Sequence, residues 1–110
     1  MGLEDLHKVD AIGVERDSGA VVLTIADHWD WNDERQHLIA LQDKLNLYIQ
    51  FIESGELIEA YPEASGRMVR IDIIGRWPLP TGAKDFVALA ASFAQEMSIT
   101  IRTLHYPGQD

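Results

Sequence analysis

Residues 21–45, VVLTIADHWDWNDERQHLIALQDKL, change their hydrophobic period part-way. Val21, Leu23 and Ile25 alternate along the first third, the period of two that sends successive side chains to opposite faces of a strand. Beyond Trp31, Leu38, Leu41, Leu45, Tyr48 and Ile52 recur at steps of three and four. Leu47 and Phe51 widen that stripe, and the spacing predicts an amphipathic helix running to about Ser54. Gly55 follows, where a left-handed cap would end it.

The pattern extends in both directions. Upstream, Ile12 and Val14 alternate in the same way, and Asp17, Ser18 and Gly19 supply a three-residue turn, so residues 9–28 read as a hairpin. Downstream, ELIEAY allows one or two further helical turns before Pro62, and PEASGR resets the chain. RMVRIDIIGRW then alternates again, with Val69, Ile71 and Ile73 on one side and Arg70 and Asp72 on the other. Thr81 is placed to cap a second helix whose apolar face is Phe86, Leu89, Ala90, Phe93 and Met97, with Ala88, Ala91, Ser92 and Ala94 permitting close approach. SITIRTLHY is the last strand, with Ile99, Ile101 and Thr103 inward.

The order is β-β-α-β-α-β, an α+β chain that packs most simply as a two-layer sandwich with two helices on one face of a four-stranded sheet. Parallel β-α-β units favour right-handed crossovers, giving a mixed sheet whose first hairpin is antiparallel. Strand order stays open. Glu15, Thr24, Arg70, Asp72, Thr100 and Arg102 fall on the other face, which is left to solvent, to a protein partner or to a second copy.

With 110 residues, the expectation is one domain over residues 9–106 with tails at 1–8 and 107–110. A net charge of -9 disfavours a grip on nucleic-acid phosphates and suits a basic protein partner. There is no cysteine, which excludes disulfides and thiolate chemistry and suits a reducing cytosol. No stretch has the length of apolar sequence that a membrane helix needs, and Leu6 stands where the myristoylation signal requires Ser or Thr. A cytoplasmic location is expected.

Residues 27–37, DHWDWNDERQH, hold four acids, two histidines and two tryptophans. Parallel pairing would bring Asp27, His28, Trp29, Asp30 and Trp31 to the same sheet edge as Arg76 and Trp77, and the hairpin adds Asp10. Ligands of open α/β sheets sit at this carboxyl edge. The structural account makes Asp30 an N-cap, with Asp33 completing a capping box and Glu34 complementing the helix dipole, while the tryptophans close the end of the core. A metal would use Asp33 and His37, four apart on one helical face, joined by His28 or Asp27, but this spacing is a weak pattern. A catalytic account makes His28 a base oriented by Asp27 or Asp10, with Arg76 holding an anion and Trp29 or Trp77 stacking. No nucleophile elbow, phosphate loop or dinucleotide fingerprint accompanies it, and no cofactor is implied. His7 and His105 lie near the ends, where a solvated histidine is the default.

Together, VDAIG, DHWDW, FIESGEL and AYP make the chain resemble a family of small bacterial proteins of unknown function, over Val9 to about Leu104. The matching positions are Asp10, Asp27, His28, Asp30, Trp31, Glu53, Ser54, Gly55, Tyr61 and Pro62. The resemblance implies a stand-alone fold and brings no reaction with it. The expected function is therefore a non-catalytic protein-binding or accessory module, monomeric or homodimeric, acting through the Trp29/Trp31 edge or the open sheet face. Neutralisation of a basic toxin is one form of it. The alternative is a small-molecule or metal-dependent enzyme at the carboxyl edge.

Overall fold

Alternating apolar residues bury one face of a sheet only when something apolar covers it, and here three helices do so. The computed structural model describes Leu3 and residues 9–107. Its elements are β1 (Ala11–Val14), β2 (Val21–Asp27), α1 (Glu34–Glu53), α2 (Glu56–Ala60), a short 3-10 turn (Pro62–Ala64), β3 (Val69–Gly75), α3 (Thr81–Gln95) and β4 (Ile99–His105). The strands lie in the order β1-β2-β3-β4, β1 antiparallel to β2 and the other pairs parallel. This is the α+β arrangement expected from the periodicity, now with its strand order.

Register explains the layers. Leu23, Ile71 and Ile101 lie side by side on three strands, as do Ile25 and Ile73, and all five are buried. They meet Leu41, Leu45 and Tyr48 of α1, Leu57 of α2, and Val87 and Ala94 of α3 in one core. Complete burial of such a side chain stabilises by about 1.5–3 kcal/mol. Leu3 belongs to the same core, although the sequence places it in a tail, whereas His7 lies outside the described residues.

Four local expectations change. The hairpin loop is 16–19, one residue longer than expected: the Gly19 N–H donates to the Glu15 carbonyl at 2.8 Å and the Glu15 N–H to the Ala20 carbonyl at 2.8 Å. Gly19 takes φ +74°, which a side chain would resist. The N-cap of α1 is Asp33, not Asp30; its carboxylate accepts from the Gln36 N–H at 3.1 Å. Asp30 instead turns its own backbone, accepting from the Asn32 N–H at 3.0 Å. Thr81 is the first residue of α3 rather than its cap, behind Pro80.

The last change is the roll of α3. Ala83, Val87 and Ala94 are its buried residues, while Leu89 and Phe93, expected inward, are 74% and 61% exposed. Phe86, Ala90 and Met97 are only partly covered. Small side chains let the helix backbone approach the sheet closely, and this outweighs the larger but more distant burial of Leu89 and Phe93. Gly55, at φ +90°, follows α1 as anticipated. Among the described residues no helix is long and apolar enough to cross a membrane.

The opposite sheet face carries a charge ladder. Arg70 holds Glu15 through two bonds of 3.1 and 2.8 Å and reaches Asp72 at 2.9 Å, and Arg102 takes Asp72 from the other side at 2.8 Å. The Arg70 guanidinium, helped by the Ser18 hydroxyl, lowers the Glu15 carboxyl from 4.5 to about 2. A lowered carboxylate stabilises the fold above its unfolded value and loses that contribution as pH falls through the folded one, here from 4.5 toward about 2. Arg70→Gln is expected to return the Glu15 titration, followed by carboxyl-carbon NMR, most of the way to 4.5. A Glu15 midpoint that stays near 2 in the variant would assign the shift elsewhere.

Candidate functional site

Strand register builds the carboxyl edge. Asp27, Gly75 and His105 end β2, β3 and β4 side by side. Backbone pairing continues one residue further: the Arg76 N–H donates to the Asp27 carbonyl at 3.0 Å and the Tyr106 N–H to the Gly75 carbonyl at 2.9 Å. Asp10 arrives from the antiparallel side, its Oδ2 accepting from the Ala26 N–H at 2.9 Å. The edge thus gathers Asp10, Asp27, Trp29, Trp31, Arg76 and Trp77 in two polar clusters and an open pocket. His28 and Asp30 are exposed beside them.

The first cluster follows from parity. Val21, Leu23 and Ile25 point inward, so the next inward position is Asp27, which is 2% exposed. On α1, His37 stands one turn before Leu41 and is 1% exposed. The two meet, His37 Nε2 lying 2.6 Å from Asp27 Oδ2. His37 Nδ1 faces the Asp30 carbonyl at 2.8 Å, and since a carbonyl only accepts, Nδ1 carries a hydrogen. One proton then lies between Nε2 and the carboxyl. Trp31 stacks on the imidazole at 3.5 Å and 11°, and Trp29 packs at 5.5 Å, while the Trp29 backbone N–H donates to Asp27 Oδ1 at 3.1 Å. Burial raises the Asp27 carboxyl above its usual value, and the bond from His37 works in the opposite direction.

The second cluster contains a lysine with no exposed side-chain surface. Lys44 Nζ lies 3.2 Å from Asp10 Oδ1, whose side chain is 2% exposed. The Asp10 N–H donates to the Tyr48 hydroxyl at 2.7 Å, and that hydroxyl donates to the Thr24 carbonyl at 2.6 Å. Burial pushes the Tyr48 phenol upward, so it stays a donor. No buried side-chain polar atom among the described residues lacks a hydrogen-bond partner.

These bonds decide what the residues can do. Both imidazole nitrogens of His37 are engaged, and the Asp27 carboxylate turns to His37 rather than orienting His28. The Asp33 carboxylate is spent on capping, so it does not join His37 as a ligand pair. No three His, Cys, Asp or Glu side chains among the described residues are grouped to hold a metal ion. Arg76 lies 5.8 Å from the Trp77 ring in a cation-π contact, and Trp77 is 46% exposed. The tryptophans therefore divide: Trp29 and Trp31 pack against the core, whereas Trp77 borders the pocket.

The sequence pattern of a family of unknown function, DUF6572, matches residues 1–106. The chain belongs to this family. No curated protein and no solved structure matches it. Of the positions on which the sequence resemblance was read, Asp10 and Asp27 are the inward carboxylates of the two clusters, Trp31 is the plate on His37, and His28 is turned to solvent. Reading residue types alone misses His37 as a structural group and Lys44 altogether. The signal was present: residues 37, 41, 44, 45 and 48 form one helical face, which puts a histidine and a lysine on the buried stripe.

Proposed function

We propose that the protein is a non-catalytic binding module whose contact surface is the apolar groove between α1 and α3, and that it receives a basic amphipathic helix of a partner protein. The observation carrying this reading is the exposure of Leu89 and Phe93 beside a groove of about 440 Å³. A groove walled by two helices accepts a third through apolar side chains three and four apart. Ile39 continues the apolar strip, 49% exposed. Along α1 the strip from Ile39 to Ile49 measures roughly 15 Å, about three helical turns. Glu34 and Glu96 stand at its two ends, and the chain carries -9 overall, so a basic helix is complementary while a second copy is repelled.

The other surfaces support this choice by being occupied. Ladder charges on the sheet face pair within the chain, and Trp29 and Trp31 are committed to the core and His37. Catalysis at the carboxyl edge lacks an oriented base.

The test is fluorescence anisotropy with a labelled helix of Leu and Lys in three-four spacing. Phe93→Asp is expected to weaken its binding about tenfold without lowering Tm, because Phe93 is exposed. The substitution adds negative charge, so purely electrostatic attraction would rise instead. Unchanged or tighter binding by the variant overturns the reading. So does a wild-type dimer in sedimentation that Phe93→Asp dissociates, which would give the groove to a second copy.

A further inference from the structure

A cavity of about 270 Å³ opens at the carboxyl ends of β3 and β4, roofed by the segment that leads into α3. It shares no lining residue with the α1/α3 groove, so a ligand could occupy it whether or not the groove holds a helix. Its walls are Ile73, Thr103, Leu79, Pro78 and Trp77, and at Gly75, beside the Leu104 backbone, no side chain intrudes. His105, whose Nε2 lies 3.2 Å from the Arg76 carbonyl, and two charged groups complete it. Asp27 lies at the inner end, its oxygens accepting from Trp29 and facing His37, and Lys84 stands at the rim.

These two groups are unequal. The Asp27 carboxyl shares a proton with His37, so the pair presents no net charge. Lys84 has no carboxylate within ion-pair distance among the described residues, and its ammonium is the uncompensated charge of the cavity. Arg76, expected from the sequence to hold an anion, is turned to the Trp77 ring and does not line the cavity. Apolar walls, one exposed indole and one ammonium at the rim select a ligand that is flat or branched, apolar and singly negative at one end. A polyanion fits poorly, with one cation to receive it and -9 on the whole chain. At about 270 Å³ the cavity is below the range of drug-sized sites and suits a molecule of one ring.

We propose that this cavity binds a small aromatic or branched aliphatic monocarboxylate, its apolar body against Trp77, Leu79 and Ile73 and its carboxylate at Lys84. The ligand is held without a covalent step. Its orientation follows from the two ends of the cavity: the carboxylate stays at the wet rim beside the ammonium, and the apolar end goes toward Ile73, where a second carboxylate would meet Asp27.

The experiment is a titration of the whole protein with phenylacetate, followed by amide and indole nitrogen-proton NMR. Phenylacetamide and 2-phenylethylamine serve as the neutral and cationic counterparts. Saturable shifts are expected at Gly75, Trp77 and Leu104 with phenylacetate, weaker ones with the amide and none with the amine. Lys84→Gln, an exposed substitution, is expected to weaken phenylacetate about threefold or more and to leave phenylacetamide unchanged. Thr103→Trp, which fills the cavity from β4, should abolish both. Three results overturn the proposal: shifts that do not saturate or fall elsewhere, binding of the amine as tight as that of the acid, or a Lys84→Gln variant that binds phenylacetate like the wild type.

Discussion

Lys44→Met is expected to cost about 3–5 kcal/mol, a large part of a typical domain's 5–15 kcal/mol. The size comes from what is left behind. The Asp10 carboxylate is 2% exposed and 3.2 Å from the Lys44 ammonium, so removing the cation leaves a buried charge facing a methyl group. The partner lies at the start of the hairpin, 34 residues away, so the loss also loosens β1 from α1. Chemical denaturation should show a lower midpoint, and thermal unfolding a fall of roughly 4 °C or more per kcal/mol for a chain of this size. Asp10→Asn/Lys44→Met should recover more than half of the loss, because the carboxylate charge that faced the ammonium is gone while an oxygen remains for the Ala26 N–H. A double variant no better than Lys44→Met would mean that lysine packing, not the ion pair, holds the cluster.

His37→Ala is expected to cost about 3–5 kcal/mol as well, and Asp27→Asn about 1 kcal/mol or less. The asymmetry follows from the shared proton. An asparagine amide can donate to Nε2 of an imidazole that keeps its hydrogen on Nδ1, and its oxygen still accepts from the Trp29 N–H, so every bond survives. Alanine at 37 instead strands Asp27 and removes the surface on which Trp31 stacks. The acid dependence differs too. Burial raises the folded Asp27 carboxyl above its ordinary 3.8, so its contribution is complete below that value and is lost as pH rises through the folded one. Asp27→Asn removes this loss, and its urea midpoint should be flatter than that of the wild type over pH values rising from 3.8. Equal costs for the two variants, or equal pH slopes, would rule out the shared proton.

Much of the fold was legible because period is a local property. The alternation of Val21, Leu23 and Ile25 and the three-four spacing of Leu41, Leu45 and Tyr48 each follow from their own segment. The roll of α3 was not, because Leu89 and Phe93 match the helical period as well as Ala83, Val87 and Ala94 do. Which stripe faces the sheet depends on how near the helix can come, a tertiary quantity. Likewise Asp27, His37, Asp10 and Lys44 are ordinary residues in sequence, and their importance comes from pairings 10 and 34 residues apart. Composition drew attention to the acidic run, but alternation and helical face were the better guides, since they specify which acids turn inward.

The strand order has a consequence for synthesis of the chain. Because β1, β2, β3 and β4 are neighbours in the same order in which they are made, each strand emerging from the ribosome can add to an edge already present, without waiting for a later one to slip between. The same order leaves a temporary exposure. Until β4 arrives, the outer edge of β3 is an unpaired template from Val69 to Gly75. A nascent chain stalled after α3 would carry that edge without Ile99 and Ile101 to close the core.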